Sequence, residues 1–356
     1  MKARRILVTG GAGFIGCNLV NRLLSEGHMV TILDNLSRSG CEQNLNWLRE
    51  NHGKGPFRLI AGDITDFPTV LKAAEQAERI YHLAGQVAVT TSVTDPRQDF
   101  EANALGTFNV LEAARRTGDD PIVLYASTNK VYGGIEDVKI VEGRERYRYD
   151  DLPFGIPETQ PLDFHSPYGC SKGAGDQYTR DYARIFGLRS VVVRQSCIYG
   201  YRQFGIEDQG WVAWFIIAAL KNLPIYIYGN GKQVRDVLFI DDLLDGYEAI
   251  VRNIDSATGQ IYNLGGGPTN TISIWTEFGA LLEELLGHRI SVVHREWRPG
   301  DQPVYISDIR KAKRDLTWCP QIGVREGITR LCEWMRNNLD LFEHLQPVET
   351  GEAMAE

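Results

Sequence analysis

A phenol and an ammonium stand four residues apart in Tyr168-Gly169-Cys170-Ser171-Lys172, at the start of a helical stretch and so on one helix face. Free tyrosine titrates at roughly 10 and is a poor base at neutral pH, but a neighbouring cation stabilises the phenolate. Such a pair can take a proton from an alcohol while hydride leaves the same carbon. Alone it is also a common surface pattern. A third group joins it in Ala126-Ser127-Thr128-Asn129-Lys130-Val131-Tyr132-Gly133, where Thr128 closes a strand-like run. Sites in open α/β sheets form at the carboxyl ends of strands, so Thr128 is placed to share a proton with Tyr168.

A hydride needs an acceptor, and the first turn of the chain supplies a place for one. Thr9-Gly10-Gly11-Ala12-Gly13-Phe14-Ile15-Gly16 lies between a first strand and a first helix. Glycines there permit a tight turn and let the amides around Gly10, Gly13, Phe14, Ile15 and Gly16 approach a pyrophosphate at the helix N-terminus. Asp34 ends the next strand, 18 residues beyond Gly16. A carboxylate at that place accepts the ribose hydroxyls of NAD and repels the 2′-phosphate of NADP. Asn35, Ser37 and Arg38 follow it as further cofactor contacts, Arg38 being the one residue able to accommodate NADP instead. The glycine turn, the strand-end threonine and the Tyr/Lys pair occur in the order the chemistry requires.

The elements that must position these groups alternate. Strands are expected at Arg5–Thr9, Val30–Leu33, Phe57–Ala61, Arg79–Leu83, Ile122–Ala126 and Ser190–Arg194. Helices are expected at Phe14–Glu26, Cys41–Glu50, Asp66–Gln76, Pro96–Arg116 and Pro167–Phe186. This rhythm argues for an α/β fold, a doubly wound parallel sheet of the Rossmann type. Residues 133–160 are polar, without clear period, and are expected as a surface insertion near the site. Beyond Gly200 the spacing changes, with helices at Trp211–Lys221, Asp242–Arg252 and Ser273–Leu286 and short strands at Ile225–Tyr228, Ile261–Leu264 and Ile290–Val293. The organisation expected is a cofactor domain over 1–200 with contributions from about 236–265, a smaller C-terminal α/β substrate lobe over 201–345, and a frayed acidic tail over 346–356.

Composition narrows the function classes. The 356-residue chain is 43% hydrophobic and 24% charged, enough for a full core, and its net charge of −8 disfavours nucleic acid as a partner. No apolar run approaches the roughly 20 residues that cross a bilayer, and Met1 to Arg5 lead straight into a strand, so no membrane partner and a cytoplasmic location are expected. Six scattered cysteines without a CxxC pair read as reduced packing residues, and seven histidines show no ligand spacing, so no metal is expected.

Taken together these motifs resemble the extended short-chain dehydrogenase/reductase superfamily, specifically its nucleotide-sugar epimerases and dehydratases, over nearly the whole chain from Arg5 to about Asn338. The resemblance implies that Asp63 and Ile64 lie on the adenine side, that Leu83, Ala84 and Gln86 line the cofactor after the fourth strand, and that Asn103 joins them. It implies that Arg235, in Gly229-Asn230-Gly231-Lys232-Gln233-Val234-Arg235-Asp236, and Arg298, in Arg298-Pro299-Gly300-Asp301, hold a diphosphate, a role suited to the guanidinium fork. Gln86, Thr128, His165, Ser166, Gln195, Arg202 and Gln203 become candidate sugar contacts. Relatives commonly pair through the helices carrying Tyr168 and Asn103, which implies a homo-oligomer, dimer or tetramer.

The family's 4,6-dehydratases carry Asp-Glu directly after the strand-end threonine, as acid and base. This chain has Asn129-Lys130, which disfavours dehydration. Longer stretches, among them residues 34–38, 82–92, 127–133, 162–172, 199–215 and 229–237, are similar to the family's 2-epimerases. They imply oxidation at C2 of a hexose by NAD, then hydride return to the other face. The substrate implied is CDP-linked; a GDP-hexose such as GDP-mannose or GDP-glucose, or a UDP-uronate undergoing 4-epimerisation or decarboxylation, stays open, because Tyr201 and Cys197 depart from the usual pattern. A redox-sensing regulator without turnover is the non-enzymatic alternative, and the intact Thr128, Tyr168 and Lys172 argue against it.

Overall fold

The computed structural model describes residues 3–53, 55–298 and 301–343. Seven short runs form one parallel sheet: β1 (Arg5–Thr9), β2 (Met29–Asp34), β3 (Phe57–Ala61), β4 (Arg79–His82), β5 (Ile122–Thr128), β6 (Arg189–Gln195) and β7 (Ile261–Leu264). Their spatial order is β7-β6-β5-β4-β1-β2-β3. Side chains alternate across each strand: Ile6 and Val8 of β1 enter one buried cluster with Leu19, Leu45 and Ile250, whereas Leu7 enters another with Val70, Val110 and Tyr182. Helices α1 (Phe14–Ser25), α2 (Cys41–His52), α3 (Phe67–Ala74), α4 (Gly106–Thr117) and α5 (Pro167–Phe186) cover the two faces, followed by α6 (Trp211–Leu220) and α7 (Ile240–Arg252). Thr9 at the end of β1 pairs with Leu33 on one side and His82 on the other. The winding direction reverses there, which opens a crevice beyond the strand ends.

Several boundaries differ from those expected. The helix expected over Pro96–Arg116 is three pieces: Pro96–Phe100, a wide π turn over Glu101–Leu105, then α4. Asp95 caps the first piece by accepting from Gln98 N at 3.0 Å, and the wide turn leaves both Asp99 and Asn103 buried. The helix expected from Ser273 begins at Phe278. Thr271–Ser273 instead pair antiparallel with Val234–Asp236, which uses the β-branched Thr271 and Ile272 in a ladder. The 133–160 insertion holds a hairpin, Ile140–Glu142 against Tyr147–Tyr149. Tyr149 buries its ring beside Val131, Tyr132, Val234 and Tyr305 and donates to Val304 O at 3.0 Å. Val292–Arg295, slightly later than expected, pair parallel with Ile225–Tyr228. Helices Arg310–Leu316 and Val324–Arg336 had no counterpart in the sequence reading. The expected tail over 346–356 lies outside the described residues, and no described helix is long and apolar enough to cross a membrane.

Inside the fold, α5 is tied to the sheet by charge. Asp176 receives Arg194 of β6 through two bonds, Nε to Oδ2 at 2.8 Å and Nη2 to Oδ1 at 3.0 Å, with both side chains almost wholly buried. Ser127 Oγ of β5 donates to Asp176 Oδ2 at 2.8 Å. Arg194 Nη1 donates to Tyr132 Oη at 3.1 Å, and that hydroxyl donates to Asn263 of β7 at 2.8 Å. Removing one partner of such a pair strands the other charge in a low-dielectric interior. Asp176→Ala is expected to lower stability by about 3–5 kcal/mol, read as the shift in urea unfolding against the parent.

Candidate active site

The turn after β1 is built by backbone crowding. Gly10 has φ +70°, and a Cβ there would lie 2.7 Å from Ala84 N; one on Gly16 would lie 2.1 Å from Gly10 O. No side chain caps α1, whose N-cap is Gly13, so the first amides after it, those of Phe14, Ile15 and Gly16, are open to an anion. Asp34 is buried and holds both sides of this turn, accepting from Ala12 N and Leu36 N, each at 2.9 Å. Burial pushes its carboxyl up while those two amides oppose the shift. Asn35 donates to Asp63 Oδ2 at 2.7 Å, Ser37 Oγ donates to Asn35 Oδ1 at 2.7 Å, and Asp63 in turn receives Thr65 N at 2.9 Å. Ile64 packs under Gly106, where a Cβ would meet it at 2.5 Å. An uncapped helix end beside a buried strand-end carboxylate fits the pyrophosphate and ribose of a dinucleotide.

Across the crevice, β5 and the first turns of α5 bring the reacting groups together. Ser166 caps α5, its Oγ accepting from Gly169 N at 3.0 Å, which fixes where Tyr168 and Lys172 emerge. The Tyr168 phenol stands near Thr128, and burial pushes it up to about 12, with Thr128 and the Arg38 guanidinium pulling the other way. Lys172 donates from Nζ to Ala126 O at 2.6 Å and stands 4.4 Å from the centre of the Tyr125 ring. Burial brings its ammonium down to about 7, opposed by Asp176 and Asp99. The direction expected for Tyr168 is therefore reversed here: Lys172 is occupied by the Ala126 carbonyl, and burial outweighs the charges that favour the phenolate.

The remaining candidates divide. Gln195 ends β6 level with Thr128 and donates to Tyr247 Oη. Gln86 closes on its own loop, bonded to Ala88 N at 2.7 Å and Ala88 O at 2.6 Å. His165 meets Asp163 Oδ2 at 2.9 Å beside Gly133 and Gly134, and Gln203 donates to Ile198 O at 3.3 Å. Arg235 is held by Asp301 at 2.6 Å. Arg298 is held by Asp208 at 2.8 Å and lies 3.9 Å from the Tyr228 ring centre; Pro299 and Gly300 lie outside the described residues. Arg202 is a correction. Its guanidinium is stacked between Trp47 at 4.6 Å and Trp334 at 5.7 Å, in a cleft of about 300 Å³ lined also by Asn18 and Arg22 of α1, so it packs helices and does not face Tyr168.

Two groups carry more than their sequence signal suggested. Lys130 is lowered by burial and by the nearby Arg235, which places its charge toward the substrate lobe. His82 joins Thr9 Oγ1 at 2.8 Å to Thr107 Oγ1 at 3.0 Å and is pulled down to about 3 by burial, so it is a neutral structural tie.

A fold of this topology, with a dinucleotide turn and a Thr/Tyr/Lys cluster at the strand ends, defines an NAD-dependent short-chain dehydrogenase/reductase of the extended class. A family model described as GDP-mannose 4,6 dehydratase matches residues 7–331. A CDP-paratose 2-epimerase of Salmonella typhi is 43% identical over 93% of this chain and 98% of its own. A UDP-glucose 4-epimerase of Mycolicibacterium smegmatis is 34% identical over 94% of this chain and 99% of its own. Among solved structures, a dTDP-glucose 4,6-dehydratase of Streptomyces venezuelae with NAD bound superposes with TM-score 0.81 at 29% identity, covering 94% of this chain and 98% of that one. The chain belongs to this family of NAD-dependent nucleotide-sugar epimerases and dehydratases.

A lysine depressed by burial leaves a pH signature. Between about 7 and its unfolded value near 10.4, the unfolded chain binds more protons at Lys172 than the folded one. The contribution of this group to stability therefore rises with pH across that window. In the cofactor-free protein Lys172→Met is expected to flatten the rise, visible as a smaller gain in melting temperature between pH 7 and pH 9 than the parent shows.

Proposed function

We propose that this protein inverts C2 of a CDP-linked deoxyhexose by transient oxidation and re-reduction at one carbon. The observation that carries the reading is Thr128 at the end of β5 beside the buried Tyr168 phenol, with Asn129-Lys130 immediately after it. An alcohol-oxidising pair is present there, and the acid and base needed to expel water are not. The 43% identity to a CDP-paratose 2-epimerase supports the carbon and the nucleotide.

NAD, when bound, supplies the hydride acceptor and donor. Gly10, Gly13, Phe14, Ile15 and Gly16 would hold its pyrophosphate, Asp34 its adenosine ribose, Asn35, Ser37, Asp63 and Ile64 the adenine side, and Lys172 the ribose nearer the reacting carbon. Tyr168 takes the proton of the C2 hydroxyl as that carbon is oxidised and returns it when the carbon is reduced on its other face. Thr128 bridges the phenol and the sugar oxygen. In the cofactor-free fold burial keeps this phenol protonated at neutral pH, so it must give up its own proton to solvent before it can take the sugar's, a loss that the Lys172 ammonium and the positive charge of the bound cofactor would favour. Arg235 and Arg298 would take the diphosphate, exchanging Asp301 and Asp208 for phosphate oxygens, and Gln195 and His165 would border the sugar. The 4-epimerases among its relatives favour C4 as the second reading.

Incubation with CDP-, GDP- and UDP-hexoses in deuterated water, followed by NMR, separates these readings. The expected outcome is inversion at C2 of the CDP-sugar with no deuterium at that carbon. Inversion at C4, or deuterium at C2, excludes internal hydride return at C2. Tyr168→Phe is expected to lower turnover by at least about 100-fold, the usual worth of a general acid–base group, with NAD still bound in absorbance spectra.

The protein is read as a homodimer in the cytoplasm. Phe100, Leu105, Phe108, Tyr178, Ile185 and Phe186 are exposed on the segment before α4, on α4 and on α5, and the Phe108 and Tyr178 rings meet at 6.0 Å. Adjacent large apolar side chains on neighbouring helices form a face suited to a second copy. Phe108→Glu with Ile185→Asp is expected to halve the mass measured by sedimentation.

A further inference from the structure

Asp99 is fully buried, a position for a carboxylate that is costly unless its charge is used. It sits on the short helix Pro96–Phe100 and reaches the turn of α5 that carries the reacting pair. Its Oδ2 accepts from Ser171 Oγ at 2.5 Å, and its Oδ1 accepts from Asn103 Nδ2 at 3.0 Å. Asn103 Nδ2 also lies 3.3 Å from Ser171 Oγ, which closes a ring of three side chains against the residue preceding Lys172. Both donors are neutral; the cation acting on Asp99 is Lys172. A tie needed only for shape would be made as well by an amide.

We propose that Asp99 is a positioning residue for the reaction: through Ser171 it fixes the turn bearing Tyr168 and Lys172, and it supplies the countercharge to the Lys172 ammonium. The other groups facing that ammonium are Asp176 on its own helix, the Tyr125 ring and Ala126 carbonyl of β5, and the neutral His82 of β4. Around Tyr168 stand Thr128, Arg38 and Asp99 itself. A negative charge at residue 99 favours the protonated form of both reacting groups. It therefore holds both limbs of a bell-shaped activity profile at higher pH than they would otherwise occupy.

The inference rests on Tyr168 and Lys172 being the reacting pair. Asp99→Asn keeps the shape and an acceptor for Ser171 but removes the charge. Both limbs of its kcat–pH profile are expected to shift acid-ward by about one unit, so turnover on the alkaline limb falls about tenfold relative to the parent. Asp99→Glu, which restores charge, is expected to return the limbs. Ser171→Ala, which keeps the charge and cuts the tie, is expected to lower kcat about fivefold with the limbs in place. Limbs unmoved in Asp99→Asn, or moved equally in Asp99→Glu, overturn the inference. Turnover retained by Tyr168→Phe overturns the underlying assignment instead, so the two failures are distinct.

Discussion

A buried ion pair in which neither partner touches the crevice underlies the geometry of the site. Asp176 on α5 and Arg194 on β6 exchange two hydrogen bonds out of contact with water, and Ser127 and Tyr132 attach to either end of the pair. Ser127 precedes Thr128, Asp176 lies one helical turn past Lys172, and Tyr132 reaches Asn263 on β7. One pair of charges thus sets the rotation of α5 against three strands. The same turn of α5 presents the phenol to Thr128 and the ammonium to the Ala126 carbonyl. Desolvating both charges is tolerable because Asp176 also receives Ser127 and Gln177 and Arg194 also donates to Tyr132 and the Glu158 carbonyl, the kind of added hydrogen bonding with which interior ion pairs persist.

Much of this was legible in the sequence. Strand and helix alternation placed the sheet, and Gly10, Gly13 and Gly16 between a strand and a helix marked a turn whose crowding leaves room for hydrogen alone at residues 10 and 16. The Tyr168–Lys172 spacing placed both groups on one helix face. What stayed hidden depends on distance in space. Asp99 and Ser171 are 72 residues apart, and nothing local about a carboxylate in Asp99-Phe100-Glu101 separates the buried one from the half-buried one. Arg202 is a candidate sugar contact by family resemblance alone, yet its left-handed backbone, φ +64°, directs it between two tryptophans from helices far away in the chain. The break of the long helix at the wide turn 101–105 was equally silent, since its composition is ordinary for a helix.

The electrostatics of the crevice also run against a reading made from residue types alone. A lysine four residues after a tyrosine suggests a lowered phenol. In the folded chain, burial dominates both groups and moves them toward their neutral forms, the phenol up and the ammonium down. Reactivity then depends on what restores charge locally: Thr128 and Arg38 for the phenol, Asp99 and Asp176 for the ammonium.

The acidic loop after Arg202 has a consequence of its own. Asp208 bonds Arg298, and Thr90 donates to the same side chain at 3.3 Å; Glu207 accepts from Tyr228 Oη at 2.8 Å; Gln209 receives Arg38. Residues 207–209 thus bridge the substrate lobe to both the strand-four loop and the cofactor turn. Any anion that reaches Arg298 must first evict a carboxylate that already belongs to the protein. Asp208 is therefore a tethered competitor, and the occupancy of that guanidinium follows the ratio between a foreign anion and a local one held at fixed effective concentration.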